Sequence, residues 1–272
     1  RYTVRTGAAL SVQDYIENQV SLTVSSQVGV DLNFTTAELT MSIDDFAERV
    51  LKPGLSQVAS YIDNDVAASY KQVFNSVGTP GTTPATSLVL LQGQQKLNES
   101  AAVMRPRYAT VNPAANANLV EGMKGFFNPT GTISKQFKEG MMGEGVLGYD
   151  EVNMSQSIAS HTTGDWGTTI TSTGTLSTQG QATLPISFTG SSKTWKEGDV
   201  FTIADVYAVN PQTRTTTGSL QQFVVTAALT ASSTGTLAIA PAIYTTASAL
   251  ATVNSFPQAS AAVTMLGSAA TA

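Results

Sequence analysis

The sequence predicts an α+β chain in which a helical and mixed segment precedes an all-β module. Between residues 42 and 75 apolar residues recur in steps of three and four, the period of an amphipathic helix. From Thr163 to about Pro257, Thr, Ser and Gly multiply and helix formers thin out, with turn signals such as "EGD" at 197–199 and "STG" at 233–235. That pattern marks short strands closing into an antiparallel barrel or sandwich. Between these stretches, short helix and strand patterns alternate.

Composition bounds the possibilities. The chain has 272 residues and is 42% hydrophobic but only 12% charged, about half the usual charged share of roughly 25%. So few charges suit a protein whose surface is largely covered by neighbours. A secreted, Thr-rich β protein has the same composition. The net charge of −5 argues against a basic nucleic-acid footprint. With no cysteine, disulfides, thiol catalysis and cysteine metal sites are excluded. No apolar run reaches about 18 residues, so no membrane span is expected. The chain opens "RYTVRTGAAL", without an initiator Met or a signal-peptide apolar region, and ends on an Ala-rich stretch. Both ends read as cut edges of a longer polypeptide.

The elements follow in order. Residues 8–35 alternate at Val20, Leu22 and Val24 and again at Val28, Val30 and Leu32, which predicts a two-stranded ribbon. Such a ribbon is marginal alone and needs a surface to lie on. The helix over 42–75 has Ser42 as N-cap, Asp44 and Asp45 in its first turn, and Met41 and Phe46 at staple spacing. Phe46, Val50, Leu55, Ile62 and Tyr70 lie on its apolar stripe. Pro53 should kink or break it near Leu51 or Lys52. Further helices are expected over 94–104, stopped by Arg105-Pro106, over 114–122 after Pro113, and within "KGFFNPTGTISKQFKEG". "RYATVNP" reads as a strand, and "GMMGEG" as a Gly-rich loop before another. In the β module, strands are expected at 168–176, 181–188, 199–209, 219–229 and 235–243.

The search for reactive groups is mostly negative. His161 is the single histidine. A triad could recruit Asp165, but the G-x-S-x-G elbow is absent, and a loop histidine is the simpler reading. Asp44-Asp45 and Asp63-x-Asp65 are neighbours that do not face each other on a helix. Asp63-Asn64-Asp65 lacks the Gly and distal Glu of a calcium loop. "GMMGEG" has no Lys-Ser/Thr after it and is no phosphate loop. Trp166 and Trp195 read as core residues of the β module rather than sugar platforms. No catalytic residue, metal ligand or cofactor is therefore assigned.

One resemblance organises these parts. "LNFTTAELTMSIDDFAERVLKPGLSQVASYID", "FFNPTG", "GYDEVNMSQSIASHTTG" and "GDVFTIADVYAVNPQTRTTTGSLQQFVVTA" occur in this order. Together they resemble the major capsid (coat) protein family of P22-like tailed bacteriophages. The resemblance implies an HK97-like fold with an inserted antiparallel β-barrel domain. Residues 1–41 would be the end of an N-terminal arm and the E-loop hairpin. Residues 42–78 would be the spine helix of the peripheral domain, with Phe46, Val50, Leu55, Ile62 and Tyr70 in its core. The axial domain would span 79–162 and the insertion 163–257, with 258–272 returning to the axial or peripheral domain. Val20, Leu22, Val28 and Val30 would touch neighbouring subunits. The implied role is an icosahedral shell around the genome, built of hexamers and pentamers and assembled in the bacterial cytoplasm. Scaffolding, portal or decoration proteins are implied partners, without specific nucleic-acid binding and without a membrane. Low charge suits subunits that bury large lateral surfaces. An acidic shell encloses DNA without gripping it. The competing expectation is a secreted or virion-surface β-rich module binding carbohydrate or host, which leaves the long helix unexplained.

Overall fold

The computed structural model describes residues 46–124, 139–140 and 142–270, with residues 5, 7–10, 12, 14, 27–31, 33 and 36. The chain divides into two units, Arg1–Ala68 and Ser69–Ala272. In the first, residues 27–31 carry no strand assignment, and most of the expected ribbon, with the N-cap of the helix, lies outside the described residues. The helical path begins at Phe46 and makes a π turn over Ala47–Leu51. It becomes the α-helix α1 (Lys52–Ala67), with Pro53 in its first turn. The change of pitch falls where Pro53 withdraws a backbone donor. The path closes as a 3-10 turn over Ala68–Gln72.

Within its own unit the apolar stripe of this helix is left largely open. Leu55 and Ile62 are 68% and 52% exposed, no residue of α1 is buried, and Phe46, Val50 and Tyr70 are only half-buried. Periodicity reports that apolar side chains share a face. It does not report what covers that face.

The second unit holds two separate cores. The smaller is α/β. Its helix α2 (Leu88–Glu99) starts and stops earlier than the expected 94–104. The apolar run Leu88-Val89-Leu90-Leu91 already belongs to it, and its end precedes Arg105-Pro106. Ala101 takes a left-handed φ of +53°. Ala102 N donates to Leu97 O at 2.9 Å and Ala101 N to Asn98 O at 3.0 Å. That pair of bonds is a Schellman C-cap with alanine in the usual glycine place.

Strand β1 (Tyr108–Val111) leads into helix α3 (Pro113–Gly122). Asn112 caps α3, its side chain accepting from Ala115 N at 2.7 Å, and Pro113 sits in the first turn, where its missing N–H costs nothing. The hairpin β2 (Gly143–Val146) and β3 (Tyr149–Met154) completes a sheet of order β1-β3-β2. The glycine-rich "GMMGEG" thus supplies part of a strand. β1 and β3 run parallel, so the chain between them must cross over, and α3 is part of that crossover. Leu119, Met123, Met142, Tyr149 and Val152 form the core beneath. The helix expected within 124–140 lies almost wholly outside the described residues.

The larger core belongs to the barrel. Its strands are β4 (Thr168–Ser172), β5 (Gln181–Thr189), β7 (Val200–Val209), β8 (Thr216–Val225), β10 (Thr234–Ile243) and β11 (Val263–Met265). They form one six-stranded sheet in the order β11-β7-β8-β10-β5-β4. The ends meet through the bridge Thr171↔Ala262, with Ser172 N donating to Ala261 O at 2.9 Å. The sheet therefore closes on itself and hides its edges. A two-stranded patch, β6 (Lys193–Trp195) with β9 (Leu229–Ala231), lies beside it.

Burial alternates as the pleat requires: Leu184, Ile186 and Phe188 on β5, Phe201 and Ile203 on β7, Leu237 and Ile239 on β10 are all buried. Trp195 is 1% exposed and meets Phe188 edge-on at 4.7 Å. It is a core residue, and Trp166 packs half-buried against the same cluster. The sheet runs past the expected end of the module at 257. The strand Val263–Met265 is too short for alternation to reveal it.

Candidate functional site

The groups that set the barrel against the α/β segment are the most specific polar constellation in the second unit. They begin with Asp199, in the turn "KEGD" between β6 and β7. Its side chain is fully buried. Lys196 N donates to Oδ2 at 2.7 Å, and Gly164 N reaches the same oxygen at 3.2 Å. His161 Nε2 lies 2.9 Å from Oδ1. A carboxylate only accepts, so Nε2 carries a proton; in the neutral imidazole Nδ1 is then the acceptor. Tyr70, 3.1 Å from Nδ1, donates its hydroxyl proton, and the two rings meet edge-on at 5.6 Å.

Glycine is required on both sides of this cluster. A Cβ on Gly164 would lie 2.3 Å from Thr194 O, and Gly198 turns at φ +98° beneath the imidazole. Any larger residue at Gly164 would push the chain off Asp199.

Carboxylate, imidazole and hydroxyl stand in the order of a catalytic triad, but the electrostatics run against nucleophilic chemistry. Burial raises the Tyr70 pKa above 10.0, and the nearby Asp199 and Glu197 raise it further. An activated hydroxyl needs the opposite shift. Asp165, which a triad could have recruited, pairs with Lys193 Nζ at 3.1 Å. Asp199 was missed because it is 38 positions from His161; the "EGD" turn was the one signal pointing to it.

Away from this root, two further contacts tie the barrel down. Gln222 on β8 treats Ser76 as a strand partner would. Its Oε1 accepts from Ser76 N at 2.9 Å and its Nε2 donates to Ser76 O at 3.0 Å. Asn210, in the loop after β7, donates from Nδ2 to Glu99 O at 2.9 Å. Glu99 ends α2, so this carbonyl lacks an intrahelical partner, and the barrel supplies one. Ser219 Oγ adds a long 3.4 Å contact to Glu99 Oε2.

The expected contact residues fare differently. Val20 and Leu22 lie outside the described residues. Val28 and Val30 are 38% and 42% exposed. Asp63 and Asp65 stand exposed on α1. Among the described residues no group of three or more His, Asp or Glu side chains is placed to hold a metal.

A closed barrel thus follows an α/β segment and is fastened to it by hydrogen bonds around Asp199, His161 and Tyr70. The chain belongs to the P22 coat protein family (gene protein 5), whose model matches residues 6–272. It is a structural capsid protein of a bacteriophage. Among solved structures, it is 29% identical to a CUS-3 coat protein I-domain over 40% of this chain and 100% of that chain, with a TM-score of 0.28. No curated protein matches it.

Proposed function

We propose that this chain is the shell-forming subunit of a tailed phage, built on an HK97-like frame with the barrel as an insertion that does no chemistry. The family match across residues 6–272 carries this reading. Within it, residues 1–41 are arm and E-loop, 42–78 the spine helix and 79–162 the axial domain; the insertion starts at 163 and, because its closing strand is Val263–Met265, runs past 257 before the chain returns to the frame. The exposed stripe of Leu55, Ile62 and Val66, at 68%, 52% and 65%, supports it. Apolar area of this kind marks a surface awaiting a partner, here another copy of the chain. Hexamers and pentamers, scaffolding, portal or decoration proteins, and assembly in the host cytoplasm belong to the same reading. The carbohydrate-binding alternative loses its better platform, because Trp195 is 1% exposed.

The test is Val30→Asp. Val30 is 42% exposed in the single chain, so the soluble subunit should keep its melting temperature. In a shell the charge would enter an apolar contact, and negative-stain counts of closed particles should collapse. Normal shells from the variant, or none from the parent, would sink the proposal.

A further inference from the structure

The barrel and the α/β segment do not share a core. One cluster contains Ile170, Phe201, Phe223 and Leu237, the other Leu119, Met142, Tyr149 and Val152, and no residue belongs to both. Lobes joined without a large apolar interface are expected to move relative to one another. The joins described between them are polar: beside the root, His161 holds Asp199 and Tyr70 holds His161, and the rest are of two kinds.

At the root, the chain enters and leaves the barrel side by side. Thr163 Oγ1 donates to Ser268 O at 2.8 Å, and Ala270 N to Gly164 O at 2.9 Å. The polypeptide runs through both crossings, so the lobes stay joined there however the barrel turns. Farther out, the joins are single side chains, Gln222 on Ser76 and Asn210 on Glu99. They can part while both cores stay intact. Ser76 belongs to the α/β side. Its neighbours Val77 and Gly78 face Gly93 and Val89 of α2, where added Cβ atoms would lie 3.9 and 3.4 Å away. A cleft lined by Tyr70, Val73, Val89, His161 and Val200 already separates the lobes beside these contacts, so water can reach the released groups.

We propose that Gln222 and Asn210 form a releasable catch. The barrel pivots on the crossings at 163–164 and 268–270, and the catch selects one orientation against α2 and the Ser76 segment. The two side chains suit that task. Each satisfies backbone groups otherwise left open, Ser76 N and O and the last carbonyl of α2, so closure is favoured. Both contacts are only part-buried, so on opening water can satisfy the released groups.

The absence of cysteine allows a clean test. Spin labels on Val103→Cys, a position 75% exposed, and on Thr183→Cys, an exposed position on β5, span the two lobes. Pulsed electron resonance on the full soluble chain should give one narrow distance. The isosteric pair Gln222→Glu and Asn210→Asp removes the Nε2 and Nδ2 donors. It keeps Asn210's Oδ1 contacts to Gln212 N and Thr213 N. With both changes the distribution should broaden or gain a second population, with near-UV circular dichroism unchanged. A distribution that stays narrow, one already broad in the parent, or loss of the barrel's signal in the variant would each overturn the catch. The inference does not rest on the coat-protein reading. Particle counts taken alongside separate the two, since missing shells with a working catch speak only against that reading.

Discussion

Tyr70 shows how much a single residue's surroundings decide. Its phenol is pushed above 10.0 by burial first, then by Asp199 and Glu197, and burial likewise raises Tyr149. A folded-state pKa above the unfolded value means that the native chain keeps protons the unfolded chain has released. This stabilisation is fully present below pH 10 and drains away as pH rises through the folded value. The parent should therefore lose melting temperature over the interval from pH 10 upward. Tyr70→Phe should lose less over that interval, and equal slopes would refute the assignment. His161 tests the same cluster from the other side. His161→Ala leaves a fully buried carboxylate oxygen without its imidazole, at a cost of about 1–3 kcal/mol in chemical denaturation. His161 stood out in the sequence as the single histidine, but its partners did not. Tyr70 and Asp199 lie 91 and 38 positions away and meet it only in the folded chain.

At the scale of elements, legibility followed length and burial. The strand windows at 181–188, 199–209 and 235–243 match β5, β7 and β10 closely, because long strands with one buried face alternate clearly. The three-residue strands β6, β9 and β11 carry no readable period. Within the helix expected over 42–75, the path from Ala47 to Gln72 is helical, but the period alone could not say what covers its apolar stripe. That distinction yields paired predictions. Leu237, 0% exposed on β10, should cost about 2–5 kcal/mol when cut to alanine. Ile62→Ala, at a site 52% exposed, should stay within about 0.5 kcal/mol in the soluble subunit. If Ile62→Ala destabilises the free chain as much as Leu237→Ala does, the stripe is covered within the subunit after all. The C-cap of α2 was illegible for a different reason. A left-handed alanine gives no glycine signal, so the eye passes on to the proline at 106.

For the whole molecule, the decisive feature is where the barrel closes. Composition placed the end of the β module near Pro257, but closure comes later. Val263, Thr264 and Met265 pair with Ile203, Thr202 and Phe201, and Ala262 bridges to Thr171. Val263 is itself 6% exposed in the core, and Met265 packs against it. A fragment of residues 163–257 would lack this strand. It would expose the edges of β4 and β7 and open the core over Phe201 and Ile203. A fragment of residues 163–270 keeps the strand and the Thr163–Ser268 and Gly164–Ala270 bonds that tie its ends together. The longer piece should therefore melt cooperatively and give dispersed amide signals as a monomer. The shorter should melt at least several degrees lower or associate through its open edges. Sedimentation and thermal unfolding of the two fragments side by side decide it. Equal stability, with both fragments monomeric, would mean that β11 only decorates a sheet already complete at residue 257. The barrel would then be held shut by its core alone.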